Sequence, residues 1–393
     1  MPHFSARTNW ETTETDLARA LRERRESGLP IYDLTASNPT QCGFIYDEAA
    51  ILSALATPEA LIYDPNPQGM LRARKAVCAY YRNHGAAVDP AQIFLTTSTS
   101  EAYSYVFRLL CDPGDEVLIA QPSYPLFDFL AALDDVKLVP YALFYDHGWH
   151  LDIEALRSRI TPRTRAIALV HPNNPTGHFT KANERAQLEA LCSEHNLALI
   201  IDEVFLDYPL TATGRSFATG PHPALTFVLS GLSKIAGLPQ MKAAWLSVFG
   251  PAASGDDEVL KRSLSRLEVI ADTFLSMNAP VQCALPQWLS HRSVQQQIQL
   301  RISKNLQTLD AMLAEQTMVT RLDVEAGWYA ILRIPAIRGD EEVAKSLIQD
   351  AGVSTHPGYF FGFAGDGWLI VSLLTQENDL KAGLKTIIRT YSE

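Results

Sequence analysis

The sequence lacks most of the features that would place it in a special class. Its five cysteines, at 42, 78, 111, 192 and 283, are odd in number, scattered, and form no C-x-x-C pair. That spacing excludes a disulfide framework and a zinc ribbon, and it reads as reduced, structural thiols in a cytoplasmic protein. No metal site is expected. No uncharged apolar stretch approaches the roughly 20 residues of a membrane helix. The opening Met1-Pro2-His3-Phe4-Ser5 lacks the basic-then-apolar order of a signal peptide. Basic runs are missing too, and the formal net charge is -11, so neither nucleic acid nor an anionic membrane is expected as a partner. Repeats and low-complexity linkers are absent.

What remains is an ordinary globular composition, 47% hydrophobic and 20% charged over 393 residues. That length exceeds what one core usually covers, so two domains are expected. The middle of the chain alternates short β-branched runs with helical patterns. Strands are expected at 93–96, 117–120, 137–141, 166–170, 197–202, 225–230 and 244–249, and helices at 101–110, 153–160 and 183–195. Runs such as Ala166-Ile167-Ala168-Leu169-Val170 are apolar without alternation, the mark of strands covered on both faces. The expected fold class is therefore α/β, with a mostly parallel seven-stranded sheet flanked by helices over residues 47–285. From about Pro286 the character changes. A long helix is expected at 287–313, then a strand at 327–334, a helix at 341–351 and a strand at 368–373. These make a smaller α+β domain from 286–393, completed by the N-terminal segment 1–46.

Four segments follow strand ends and carry chemistry. Ser98-Thr99-Ser100-Glu101 has the Ser-x-x-Glu form of a helix cap, and the free N–H groups of that first turn plus the hydroxyls of Thr99 and Ser100 suit an anion. His171-Pro172-Asn173-Asn174-Pro175-Thr176-Gly177 is a turn-rich loop placed where open α/β sheets bind ligands. Asp202 ends an apolar strand in Ile200-Ile201-Asp202-Glu203-Val204, and a buried carboxylate there needs a partner. Ser230-Gly231-Leu232-Ser233-Lys234 places a lysine at a strand end, with Lys242 eight residues on. A lysine beside a second cation in apolar surroundings has a depressed pKa and is a good nucleophile. Each segment alone has a plain structural explanation; their order along the chain is the specific signal.

In that order, and above all in Asn173-Asn174-Pro175-Thr176-Gly177, Asp202-Glu203-Val204 and Ser233-Lys234, the chain resembles the class I/II aminotransferases, enzymes of PLP-dependent transferase fold type I. The resemblance implies pyridoxal 5'-phosphate (PLP) held as a Schiff base on Lys234, which also moves protons at the substrate. It implies Asp202 at the pyridine nitrogen, Asn174 at the phenolic oxygen, Tyr124 stacked on the ring, and Ser98, Thr99, Ser100, Ser233 and Lys242 around the phosphate. Tyr63 resembles a tyrosine that reaches a neighbouring subunit's phosphate, which implies a homodimer with shared active sites. The resemblance also implies that the segment Ser37-Asn38-Pro39-Thr40 lies over the substrate, with Ser37 and Asn174 as substrate-binding residues.

The chain departs from the family pattern at three positions. Lys242 stands where arginine is usual, supplying a point charge instead of a fork. Phe205 stands three residues after the aspartate in place of tyrosine. The lost hydroxyl is expected to raise the pKa of the Schiff base, with Tyr208 near enough in sequence to compensate. Ile370, two residues before Ser372, replaces the arginine that clamps the substrate carboxylate. Arg333 is the expected substitute for that clamp, ahead of His356 and Tyr359. The leading functional expectation is amino transfer between a small amino compound and a keto acid. A PLP lyase or decarboxylase, an aminotransferase for substrates lacking the usual clamp, and a non-enzymatic binding protein are the alternatives.

Overall fold

A computed structural model of the chain describes residues 3–251, 258–275 and 277–392. The short strand β1 (Tyr32–Asp33) precedes the main sheet. That sheet contains β2 (Ile93–Thr96), β3 (Glu116–Gln121), β4 (Lys137–Tyr145), β5 (Trp149–Leu151), β6 (Thr164–Val170), β7 (Ala198–Asp202), β8 (Thr226–Gly231) and β9 (Ala244–Phe249), in the order β2-β9-β8-β7-β6-β3-β4-β5. β8, β7, β6, β3 and β4 are mutually parallel, while β9 runs against both β8 and β2. The central strands are buried along their length, β7 and β8 at every residue, because helices cover both faces. That double cover is why they are apolar without alternation.

The sheet has eight strands where seven are expected. The additional one, β5, is only Trp149–Leu151 and pairs antiparallel with the end of β4 through Leu143↔Leu151 and Tyr145↔Trp149. Three residues in a hairpin give too little pattern to be seen beforehand, and the pairing carries β4 on to Tyr145.

The second layer is a four-stranded antiparallel sheet. It holds β10 (Thr320–Arg321), β11 (Tyr329–Arg333), β13 (His356–Pro357) and β14 (Trp368–Ser372), with β12 (Val353–Ser354) pairing separately in parallel with β1. The N-terminal helix Asp16–Glu26 packs on helix Asp340–Ser346, so the first residues join the C-terminal layer. The helix expected at 287–313 is divided. Ala279–Ser290 contains Pro286, and helical structure is interrupted at His291 and Arg292 before Ser293–Leu313 begins. The change of composition at Pro286 thus falls inside a helix. A proline there removes one N–H from the ladder yet leaves the helix to run four residues further.

Candidate active site

The carboxyl ends of the parallel strands meet at one cavity of about 330 Å³, as the geometry of open α/β sheets dictates. β2 delivers Ser98, Thr99 and Ser100; β6 ends at Val170 and its loop delivers Asn174; β7 ends on Asp202; β8 leads through Gly231 to Ser233 and Lys234. β9 is antiparallel, so its beginning, with Lys242 and Ala244, lies at the same edge. Tyr124 follows β3, and Ser37 arrives from the N-terminal segment. The cavity thus joins ten expected site residues: Ser37, Ser98, Thr99, Ser100, Tyr124, Asn174, Asp202, Ser233, Lys234 and Lys242.

Local sequence explains these placements. The hydroxyl of Ser98 accepts from the Glu101 N–H at 3.1 Å and starts helix Thr99–Leu110. Glu101 accepts from the N–H of Thr97 at 2.6 Å, one residue before the position a reciprocal capping box would use. The first-turn N–H groups, the Thr99 and Ser100 hydroxyls and the exposed Lys242 ammonium gather donors and positive charge at one end of the cavity, the chemistry an anion needs. The Asn174 loop closes on Gly177, whose N–H donates to the Asn173 carbonyl at 2.8 Å with φ at +71°. A Cβ there would stand 2.3 Å from the Ala326 carbonyl oxygen. Gly231 is needed for closeness instead: its Cβ would meet that of Ala244 at 2.9 Å.

The electrostatics single out Asp202 and Lys234. Asp202 is buried and accepts from the Val204 N–H at 3.0 Å. Burial pushes its carboxyl up to about 7, against the pull of that hydrogen bond, the Lys234 charge and Tyr103. The Tyr103 hydroxyl is itself buried with no other partner. Burial also pushes the Lys234 amine down, and Asp202 opposes this. One end of the Asn174 amide is buried with no partner. A buried carboxylate raised by its burial and an unpartnered amide oxygen on one cavity wall suit a ligand with a cationic edge and a polar edge.

Two expected residues lie elsewhere. Tyr63 is 79% exposed and outside the cavity wall. Arg333 is exposed at the end of β11, its guanidinium 5.8 Å from the Trp368 ring centre. It stands four residues beyond Tyr329, about 13 Å along a strand, and does not line the cavity. Ile370 is fully buried between Ile331 and His356. His356 stacks on Phe360 at 5.0 Å, and burial pushes its imidazole down to about 4, so it is uncharged near neutral pH. Neither His356 nor Tyr359 lines the cavity. Tyr208 does not reach it either: its hydroxyl donates to the Lys234 carbonyl at 2.5 Å. Phe205 does form part of the wall.

Sequence reasoning missed Phe127, Val170, Val204, Gly231, Ala244 and Tyr329 in the lining. Most are apolar residues at strand ends that look like core. Tyr329, whose hydroxyl interacts with Ser37, had one faint signal, its place two residues after Gly327 at a strand start.

The family model for aminotransferase class I and II matches residues 31–387. The chain belongs to the class I and II aminotransferase family. Among curated relatives, the glutamate-pyruvate aminotransferase AlaA of Escherichia coli is 30% identical over 264 residues, covering 66% of this chain and 64% of that protein, just under two thirds of its length. An alanine aminotransferase of Mycobacterium tuberculosis is 28% identical over 92% of this chain and 85% of its own. Among solved structures, alanine aminotransferase from Pyrococcus furiosus superposes with a TM-score of 0.89 at 23% identity, covering 99% of this chain and 100% of that one. This class I and II fold, a large mostly parallel sheet with a smaller antiparallel one, is the fold expected from the sequence.

Proposed function

We propose that the chain is a pyridoxal-phosphate-dependent aminotransferase acting on a small amino donor and a keto acceptor. The observation that carries this reading is that Lys234, Asp202 and Asn174 line one cavity together with the first turn of helix Thr99–Leu110. The relatives, a glutamate-pyruvate aminotransferase and an alanine aminotransferase, point the same way.

The lining fits the cofactor. Ser98, Thr99, Ser100, Ser233 and Lys242 would hold the phosphate, Tyr124 would cover a ring face, and Asn174 would donate from its amide NH2 to the ring oxygen. When bound, the cofactor supplies an aldehyde for amines and an electron-withdrawing ring. The chain supplies the proton chemistry. Asp202 would keep a ring nitrogen placed opposite it protonated, and such a cation would relieve the cost of its burial. Lys234, whose neutral amine is favoured by burial, would hold the cofactor's aldehyde and carry a proton to and from the substrate's α-carbon. Ser37 and Asn174 would border the substrate, and the Tyr329 hydroxyl interacts with Ser37.

We further propose a homodimer in which Tyr63 serves the partner's site. Its support is the exposed apolar run Leu61, Ile62 and Tyr63, at 91%, 63% and 79%. A division into 47–285 and a smaller unit of 1–46 with 286–393 is supported by the β1–β12 pairing. A cytoplasmic location agrees with the free cysteines; among the described residues, no helix is long and apolar enough to cross a membrane.

The test is to mix purified holoenzyme with a panel of amino acids and amines and follow the cofactor spectrum. Conversion to the pyridoxamine form with release of a keto product is expected. Turnover without that conversion would indicate a lyase or decarboxylase, and an unchanged spectrum with every donor would indicate a binding protein.

A further inference from the structure

We propose that Trp328, together with Phe205, is a positioning residue that seats the Lys234 ammonium on aromatic faces and favours its protonated form. Lys234 Nζ lies 5.1 Å from the Trp328 ring centre and 5.9 Å from that of Phe205. Both are within the roughly 6 Å over which a ring face attracts a cation. The two rings meet edge to face at 5.3 Å and 82°, so each fixes the other.

The seat is anchored on both layers of the molecule. Tyr208 packs on Trp328 at 5.1 Å while its hydroxyl holds the Lys234 backbone carbonyl. The Gly327 N–H donates to the Tyr208 carbonyl at 2.9 Å, and the Trp328 carbonyl accepts from Leu373 at 2.7 Å. The lysine backbone and its aromatic seat are thereby tied to one segment. The indole N–H of Trp328 is buried without a partner, so the residue is present for its ring, and phenylalanine in its place removes no hydrogen bond.

The ionisable groups sharing this cavity are Asp202 from β7, Lys242 from the turn before β9, and the phenols of Tyr124 and Tyr329. Burial holds both phenols in the neutral form. Asp202 and the two rings therefore act together against the desolvation that favours the neutral amine. A lysine that gives up and takes back protons during turnover needs such a balance, and the rings hold its head at the wall when it is cationic.

The functional importance of this seat rests on the role proposed above for Lys234, but the seat can be measured without the cofactor. Trace acetylation of the full-length, cofactor-free chain with acetic anhydride across pH, read by mass spectrometry at the Lys234 peptide, gives the titration midpoint of that amine. Trp328→Leu is expected to lower the midpoint by about one unit and Phe205→Leu by about half a unit, while Trp328→Phe recovers most of the loss. Equal midpoints in wild type and Trp328→Leu, or equal falls in Trp328→Leu and Trp328→Phe, would overturn the proposal. Should Trp328→Leu not fold, Phe205→Leu decides alone, and an unchanged midpoint there overturns it. Failure of borohydride to mark Lys234 in the holoenzyme would sink the cofactor reading and leave these midpoints untouched.

Discussion

At Asp202 the same burial that prepares a partner for a cationic ring sets the pH behaviour of the cofactor-free chain. Folding raises this carboxyl from its ordinary 3.8 to about 7, chiefly by burial. Between those values the folded chain holds the extra proton. Its contribution to stability is therefore complete below the lower value, falls as pH rises, and is gone above about 7. Asp202→Asn cannot ionise, so its melting temperature relative to wild type should rise more at pH 8 than at pH 5 in cofactor-free protein. An equal difference at both would contradict the assignment of burial as the cause. Phe205 offers a second test on the same wall. Phe205→Tyr adds a hydroxyl donor on the cavity wall where the proposed cofactor would put its phenolic oxygen, and donors to an anionic oxygen favour the anion. The absorbance titration of the holoenzyme should then move to lower pH; movement upward, or none, counts against that placement.

Among the elements, the ones read correctly in advance are those whose pattern is their burial. β6 and β7 are apolar because both faces are covered, and helix Thr99–Leu110 announces itself through Ser98. β5 was not legible because three residues in a hairpin carry no period. The division of the long C-terminal helix was hidden because Pro286 looks like a helix start and is tolerated inside one instead. The site was legible wherever a polar residue stood at a strand end, as with Asn174, Asp202 and Lys234. It was not legible at Phe127 or Tyr329, where a wall residue and a core residue have the same chemistry. Nor does a sequence show that Arg333 points its charge onto Trp368, away from the cavity. The loop between β6 and helix Ala182–His195 gives the sharpest test at this scale. Gly177→Ala places a methyl 2.3 Å from the Ala326 carbonyl oxygen at a φ of +71°. It should cost about 1–3 kcal/mol in denaturant unfolding and weaken cofactor retention through Asn174. A cost below about 0.5 kcal/mol would show that the loop is not held against that segment.

For the whole molecule, the proposed dimer follows from apolar side chains that the single chain leaves in water. Leu61 and Ile62 are 91% and 63% exposed, and burying such residues contributes roughly 1.5–3 kcal/mol each. A Leu61→Glu, Ile62→Lys double substitution should shift the sedimenting species from dimer to monomer and lower cofactor retention, because Tyr63 then serves no neighbour. A wild-type chain that sediments as a monomer would remove this part of the account.

The central claim concerns one amine. Holoenzyme treated with borohydride, digested and read by mass spectrometry should carry a pyridoxyl group on the peptide containing Lys234, and Lys234→Ala protein should carry none at that peptide. A wild-type Lys234 peptide that stays unmodified while the protein retains its cofactor would contradict the claim.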